Sequence, residues 1–318
     1  MARYFRRLVC FLTIEEAMLC LAIVVVLLLS FSVTGEFHLG RAGRIGNFFA
    51  LICSCSLLVV GLHDVYHADE ELPTMTLAKQ ILWRSISVLR DWLPLYFALS
   101  LYSYLYGLVS LLNPVDCDDL LLAADRALFG ETPAVLMQSW VSPWLTEVLS
   151  FCYLSMMVFP PALLLCVHWK CDRESFHRVT VGLMVICLLG YCGYVLVPAV
   201  GPQVYMQAKF NVPLTGGLLS KIGHDIIEQG RNPRDCFPSM HVAVPFLMLL
   251  YSWVYWRPFL FVGFPLFVGI FISTMYLRYH YIVDLFAGMI LAVAVFYGGV
   301  YLQKWWLLKQ SACRLREE

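Results

Sequence analysis

Residues 258–302 read PFLFVGFPLFVGIFISTMYLRYHYIVDLFAGMILAVAVFYGGVYL. Two apolar runs, 258–275 and 281–302, flank a short polar stretch from Arg278 to Asp284. A helix needs about 20 mostly apolar residues to cross a bilayer, and both runs are near that length. The spacing predicts one helix ending and another starting at this polar stretch. Arg278, His280 and Asp284 then stand at the mouth of a span, where ionisable groups are costly and functional by default.

The same pattern continues outward. Apolar runs at 14–33, 47–62, 92–112, 144–168, 178–200 and 238–256 bring the expectation to about eight spans. Composition agrees: 60% of the 318 residues are hydrophobic and 14% charged, and mean hydropathy is +0.74. Soluble domains carry about a quarter charged residues, so lipid must solvate much of this surface. The expected fold class is all-α, a polytopic transmembrane helical bundle. Formal net charge is zero, which argues against nucleic acid as a partner. Most of the twelve cysteines lie in apolar runs, where a thiol acts as a small hydrophobe. Cys117 and Cys236 fall in loops expected on one side, as a disulfide or as free thiols.

Residues 69–91 set Lys79, Arg84 and Arg90 against Leu77, Ile81, Leu82, Leu89 and Trp92, an amphipathic helix suited to the headgroup level. This gives an N-terminal two-span extension over 1–92, a six-helix core over 93–302 and a tail over 303–318. With eight spans the termini share a side, and fourteen of the 22 lysines and arginines fall there. That bias places the termini in the cytoplasm and the Arg278–Asp284 stretch on the extracytoplasmic or lumenal side.

Two clusters carry chemistry. In the first, His280 and Asp284 are four residues apart, which on a helix places them on one face. A carboxylate on one imidazole nitrogen fixes the tautomer and raises the basicity of the other. The pair reads either as an activated histidine or as a buried ion pair that locks helices. The second cluster is Cys236-Phe237-Pro238-Ser239-Met240-His241, opening the span 238–256. Free backbone N–H groups at a helix start, with the Ser239 hydroxyl, suit a phosphate, and His241 is placed to donate a proton. The alternative is a capped helix start with an interfacial histidine. A helical hairpin separates the two clusters, so both open toward one membrane face. Arg231 and Arg234 lie nearby, as phosphate clamps or as solvated loop charges. His63, Asp64 and His67 have metal-like spacing but fall on the other side, and no metal is expected. His168 and His177 read as interfacial loop residues.

These blocks resemble the type 2 phosphatidic acid phosphatase superfamily, and most closely its inositol phosphorylceramide synthase-like branch. Pro238-Ser239-Met240-His241 looks like the family's P-S-x-H block. Ser273-Thr274-Met275-Tyr276-Leu277 followed by His280-Tyr281-Ile282-Val283-Asp284 looks like its last block. Asp125-Arg126-Ala127-Leu128-Phe129-Gly130-Glu131-Thr132-Pro133 resembles a D-x-x-L-x-G-x-x-P element of that branch. The resemblance implies that His280 attacks phosphorus to form a phosphohistidine, that Asp284 orients it, that His241 protonates the leaving alkoxide, and that Ser239 binds phosphate. It also implies no cofactor. The chain departs from the phosphatase branch in lacking its K-x6-R-P block and its S-R pair, where Ser273-Thr274 stands instead. Lys209, Arg231, Arg234 and Arg278 are the candidate replacements. The expectation is a lipid phosphotransferase that moves a phosphoinositol-type headgroup from a phospholipid donor to a lipid alcohol such as ceramide. A lipid phosphate or pyrophosphate phosphatase is the alternative. A transporter is disfavoured because the ionisable residues cluster at one depth.

Overall fold

The computed structural model describes residues 12–35, 74–105, 107–230 and 232–314. The expected span at 47–62, the group His63, Asp64 and His67, and Arg231 lie outside these residues. Among the described residues the chain is helical, with no strand. In chain order the helices are α1 (Ile14–Thr34), α2 (Thr74–Tyr104), α3 (Leu108–Leu112), α4 (Asp118–Phe129), α5 (Pro133–Leu136), α6 (Pro143–Ser155), α7 (Phe159–Lys170), α8 (Arg173–Leu196), α9 (Pro202–Tyr205), α10 (Leu218–Gly230), α11 (Met240–Tyr255), α12 (Leu260–Tyr276) and α13 (Ile282–Arg314).

Four stretches are long and apolar enough to cross a membrane: α1, α8, α12 with its preceding 3-10 turn, and α13. The bent pair α6 and α7 adds a fifth if it counts as one span, and α11 is shorter but apolar. Large apolar side chains stand open on the outside, including Leu21 at 65% exposure, Phe261 at 86% and Ile290 at 70%. So much uncovered apolar surface needs lipid around it. The chain is an integral membrane protein.

Local signals explain the helix ends. Thr13 and Glu16 form a reciprocal capping box at the start of α1, and Gly35 closes it in a left-handed conformation, φ 73°. Asp172 caps α8 by accepting from the Ser175 N–H at 2.7 Å. Three boundaries differ from the sequence expectation. The amphipathic stretch and the third span join into the single helix α2, so the division drawn at residue 93 falls inside it. The fourth span breaks after Ser155 and bends by 44° before α7, where Pro160 and Pro161 restart the helix. The tail expected from residue 303 continues α13, which runs 33 residues.

The core lies between α8, α11, α12 and α13, with Val242, Leu247, Met248, Ile270, Leu285 and Ala292 fully enclosed or nearly so. α11 packs on α13 closely enough that a Cβ at Gly288 would sit 2.5 Å from the Ser239 carbonyl oxygen. The far end of α8 holds a charged cluster. His177 Nδ1 lies 2.6 Å from Glu15, and Arg173 lies 2.6 Å from Asp91. Arg90 pairs with Glu16 at 2.6 Å. His177 and His168 therefore sit in helices rather than loops, because burial beside Glu15 and against Trp92 and Phe176 gives each ring partners.

Candidate active site

The two histidine clusters meet. α11 starts at Met240, so Ser239 is its N-cap and His241 lies in its first turn. α12 runs back toward the same end, and α13 starts at Ile282, just after His280. His241 Nδ1 stands 2.9 Å from His280 Nε2, with ring centroids 5.0 Å apart.

His280 and Asp284 do not share a regular helix face, because His280 precedes the first turn of α13. They meet across the helix start, His280 Nδ1 to Asp284 Oδ2 at 3.1 Å. Asp284 also accepts from the Tyr281 backbone N–H at 3.2 Å, as a third-position acid does in a capping box. The next two N–H groups, of Ile282 and Val283, donate to Asp125 at 3.3 and 3.1 Å. Thr132 Oγ1 donates to the same carboxylate at 2.5 Å. Asp125 and Thr132 of the D-x-x-L-x-G-x-x-P element thus cap α13 from outside. Both acids sit at the positive end of a helix dipole.

A second acid braces the approach to His280. Asp118 accepts from the N–H groups of Val200 and Gly201 and from the Tyr281 hydroxyl, each at 2.9 Å. Gly201 has φ 85°, and a Cβ there would lie 2.6 Å from the Tyr279 carbonyl oxygen, so glycine alone fits. Burial pushes the Asp118 and Asp125 carboxyls above their ordinary value.

Two further residues join the site, Tyr153, which no sequence pattern marked, and Cys236, which opens the Ser239–His241 block in the sequence but carries no role there. The Tyr153 hydroxyl lies 2.6 Å from His241 Nε2. The Cys236 thiol donates to Asp284 Oδ2 at 2.9 Å. Cys236 and Cys117 are both free thiols. The Ser239 hydroxyl is buried and has no hydrogen-bond partner, nor has Asp284 Oδ1. Buried polar atoms normally find partners, so a hydroxyl left open beside the histidines fits a ligand oxygen. Cys236, His280 and Asp284 bring three ligand-type atoms within 4.8 Å of one another, the one such group among the described residues. Hydrogen bonds through Asp284 Oδ2 link the three side chains to one another.

The candidate cations are placed unevenly. Arg278 adopts φ 70°, stacks over the Phe210 ring at 4.3 Å and donates to the Val212 carbonyl, at the edge of a cavity beside Tyr153. Lys209 faces Glu131 at 3.7 Å, and Arg234 pairs with Asp116 at 3.0 Å while donating to the Asn113 and Pro114 carbonyls. Loop contacts, rather than the histidine pair, hold those two.

Two chambers meet the Tyr153–His241 contact. One, of about 340 Å³, has mixed walls, with Gln203, Gln207, His224 and Arg278 beside Phe210, Leu214 and Leu277. The other, of about 140 Å³, is apolar and reaches His241 from between α2, α7, α8 and α11. Tyr153 lines the first and His241 the second.

A family model described as the PAP2 superfamily matches residues 119–298, more than half of the chain. The chain belongs to the PAP2 superfamily. The PAP2 match runs from the second residue of α4 through most of α13 and takes in Asp125, Tyr153, Cys236, Ser239, His241, His280 and Asp284, with Asp118 one residue before it. Among curated relatives, a PA-phosphatase related-family protein of Dictyostelium discoideum is 28% identical over 180 residues, 50% of this chain and 33% of that protein. A phosphoinositol dihydroceramide synthase of Bacteroides thetaiotaomicron is 25% identical over 147 residues, 42% of this chain and 48% of the relative. The chain thus matches less than half the length of either relative. No solved structure matches it.

Proposed function

We propose that this PAP2 protein is a membrane lipid phosphotransferase. It moves a phosphoinositol-type headgroup from a phospholipid to a lipid alcohol through a phosphohistidine. The observation that carries the reading is the 2.9 Å contact between His241 Nδ1 and His280 Nε2, each ring backed by its own partner.

His280 donates its Nδ1–H to Asp284, which leaves Nε2 with its lone pair for attack on phosphorus. At 2.9 Å the rings are too close to hold a phosphoryl group, so the donor enters between them. The N–P bond forms as the bond to the glyceride oxygen breaks, and His241 gives that oxygen its proton. In the second half-reaction the acceptor hydroxyl loses its proton to His241, its oxygen bonds to phosphorus, and the electron pair of the N–P bond returns to His280. Asp284 stabilises the cationic ring between the two steps. The open Ser239 hydroxyl takes one phosphoryl oxygen, and Arg278 balances charge on the headgroup side.

The larger chamber has one arginine and several neutral donors and acceptors among its walls, which suits a polyhydroxylated headgroup. The apolar chamber at His241 favours a lipid over water as acceptor, and so a transferase over a phosphatase. Two of the sequences it matches carry phosphatase-related and synthase names. The Lys/Arg bias places the termini in the cytoplasm and this site on the extracytoplasmic or lumenal face.

The test is headgroup transfer from labelled phosphatidylinositol to ceramide by purified protein, beside His280→Ala. Transfer that persists in the variant sinks the nucleophile assignment. Steady release of inorganic phosphate from phosphatidic acid, with no transfer to any lipid, establishes the phosphatase instead.

A further inference from the structure

Cys236, His280 and Asp284 bring together a thiol, an imidazole and a carboxylate, from the loop before α11 and the start of α13. Thiolate and imidazole are the ligands that zinc-like metals favour. The donor atoms form a small triangle. Cys236 Sγ lies 3.7 Å from His280 Nδ1 and 2.9 Å from Asp284 Oδ2, and Nδ1 lies 3.1 Å from that oxygen. A tetrahedral zinc at its usual bond lengths holds S, N and O ligands about 3.3–3.6 Å apart, so the triangle needs to adjust by only about 0.1–0.6 Å. A second observation points to a cation. Asp284 Oδ2 takes three donors, the third being the Tyr281 N–H, whereas Oδ1 is buried with none. A buried carboxylate oxygen without a partner is costly. The three residues are at most 3% exposed, so added charge must balance. A divalent ion with one thiolate and one carboxylate comes to zero. The surroundings suit a ligand histidine as well. His280 Nε2 faces His241 Nδ1 at 2.9 Å, and a metal-bound imidazole normally gives its other N–H to such a partner.

We propose that Cys236, His280 Nδ1 and Asp284 form a binding site for a thiophilic divalent cation of the zinc class, and that its occupancy silences His280. Binding releases the thiol proton to solvent and leaves a thiolate on the metal. Nδ1 gives its lone pair to the metal, so the neutral ring carries its one proton on Nε2. The nitrogen that attacks phosphorus then has no lone pair to offer. The relay turns round with it. His280 Nε2–H donates to His241 Nδ1, and His241, its proton now on Nε2, donates to the Tyr153 hydroxyl. Magnesium and calcium take six or more ligands, almost all oxygen, and do not fit this set. The binding site stands on the geometry; only its effect on turnover rests on the phosphohistidine reading.

The experiment uses the full chain in detergent, stripped of metal by a chelator, with zinc, cadmium and magnesium chlorides as probes. Uptake is read without lipid substrate, by equilibrium dialysis and by the ultraviolet absorption of a cadmium–thiolate bond. The wild type is expected to bind one equivalent of zinc more than Cys236→Ser and one more than His280→Ala. His280→Ala keeps all twelve cysteines, so a difference there separates this site from metal held by thiols elsewhere. Zinc should raise the melting temperature of the wild type and not that of the folded variants, which keeps loss of uptake distinct from unfolding. Zinc should also block phosphohistidine formation by the wild type from phosphatidylinositol, a chelator should restore it, and magnesium should leave it unchanged. Measured against its own metal-free rate, Cys236→Ser should need roughly 100-fold more zinc for the same inhibition, since even outer-shell changes cost about 10–100-fold in metal affinity. Uptake absent from the wild type or equal in all three proteins, phosphohistidine formation that persists in zinc-loaded wild type, or stimulation by zinc overturns the proposal. If metal-free wild type forms no phosphohistidine, the transferase reading fails, and zinc uptake alone then decides whether the site exists.

Discussion

Tyr153 Oη approaches His241 Nε2 at 2.6 Å, on the side of the ring away from His280. In the resting neutral pair one directional chain runs from Tyr153 to His241, from His241 Nδ1–H to His280 and from His280 Nδ1–H to Asp284. When His241 is protonated to act as the acid, its Nε2–H is donated to the Tyr153 hydroxyl instead. Tyr153 thus sets which nitrogen of His241 faces the substrate. Tyr153→Phe keeps the ring and removes that hydroxyl. The expected result is a drop in kcat of about tenfold, the effect of one hydrogen bond worth roughly 1.4 kcal/mol. KM for donor should hold, and the pH profile of kcat should move. A variant with wild-type kcat and pH profile would reduce Tyr153 to packing.

His241 itself carries more. His241→Ala should lower turnover by roughly 10²–10⁴-fold, the usual contribution of a general acid. Phosphohistidine should still form from a donor with a good leaving group such as p-nitrophenol, because that oxygen needs no proton. Loss of phosphohistidine with both donors would show that His241 does something other than proton transfer.

Asp125 reaches no reacting atom, yet it caps the helix that carries Asp284. Asp125→Ala leaves two N–H groups buried without acceptors. The expected cost is about 2 kcal/mol, seen as a lower melting temperature in detergent, with activity falling as the start of α13 loosens. Equal melting temperatures would mean that water replaces the carboxylate freely.

Gly288 lets α13 approach α11. In Gly288→Ala the new methyl meets the Ser239 carbonyl, so the helices must separate. Overpacking of this kind costs roughly 1–3 kcal/mol. Because Ser239 and His241 ride on the displaced helix, turnover should fall further than stability implies. Full activity would show that the contact yields without moving the histidines.

The titration of Asp118 and Asp125 has a defined sign. Burial raises both carboxyls, so the folded protein binds their protons more tightly than the unfolded chain does. Their contribution to stability therefore falls as pH rises through a window that opens at the unfolded value of 3.8. Glu131, held down by the Thr132 N–H, and Asp172, held down by the Ser175 N–H, slope the opposite way. The measurement is a difference: melting temperature against pH for wild type minus Asp118→Asn/Asp125→Asn. A difference that climbs with pH across the window contradicts the assignment.

The fold class was legible because hydropathy is a local, additive signal. The histidine pair was legible too, since each member lies within four residues of its neighbours in a block: His280 with Asp284, His241 with Ser239. The rest depends on contacts between distant segments. Tyr153 is one of 17 tyrosines and lies 88 positions from His241. Asp118 looks like any acid in a loop until the Val200–Gly201 turn folds onto it. Lys209 and Arg234 read as phosphate clamps because charge is visible in a sequence while the partner that claims it is not. Asp125 stood out as part of an element, but its task, capping α13, appears only when α4 is placed against that helix.

The length of α13 has a practical consequence. Its 33 residues extend about 50 Å, while the hydrocarbon layer is about 30 Å thick. Near its far end Trp306 and Gln310 hold the Leu12 carbonyl at 3.3 and 2.7 Å, which ties the rod to the opposite end of the chain. A globular marker joined in helical register beyond that brace would inherit the bundle's orientation. Such a fiducial would let electron microscopy align particles of this small membrane protein.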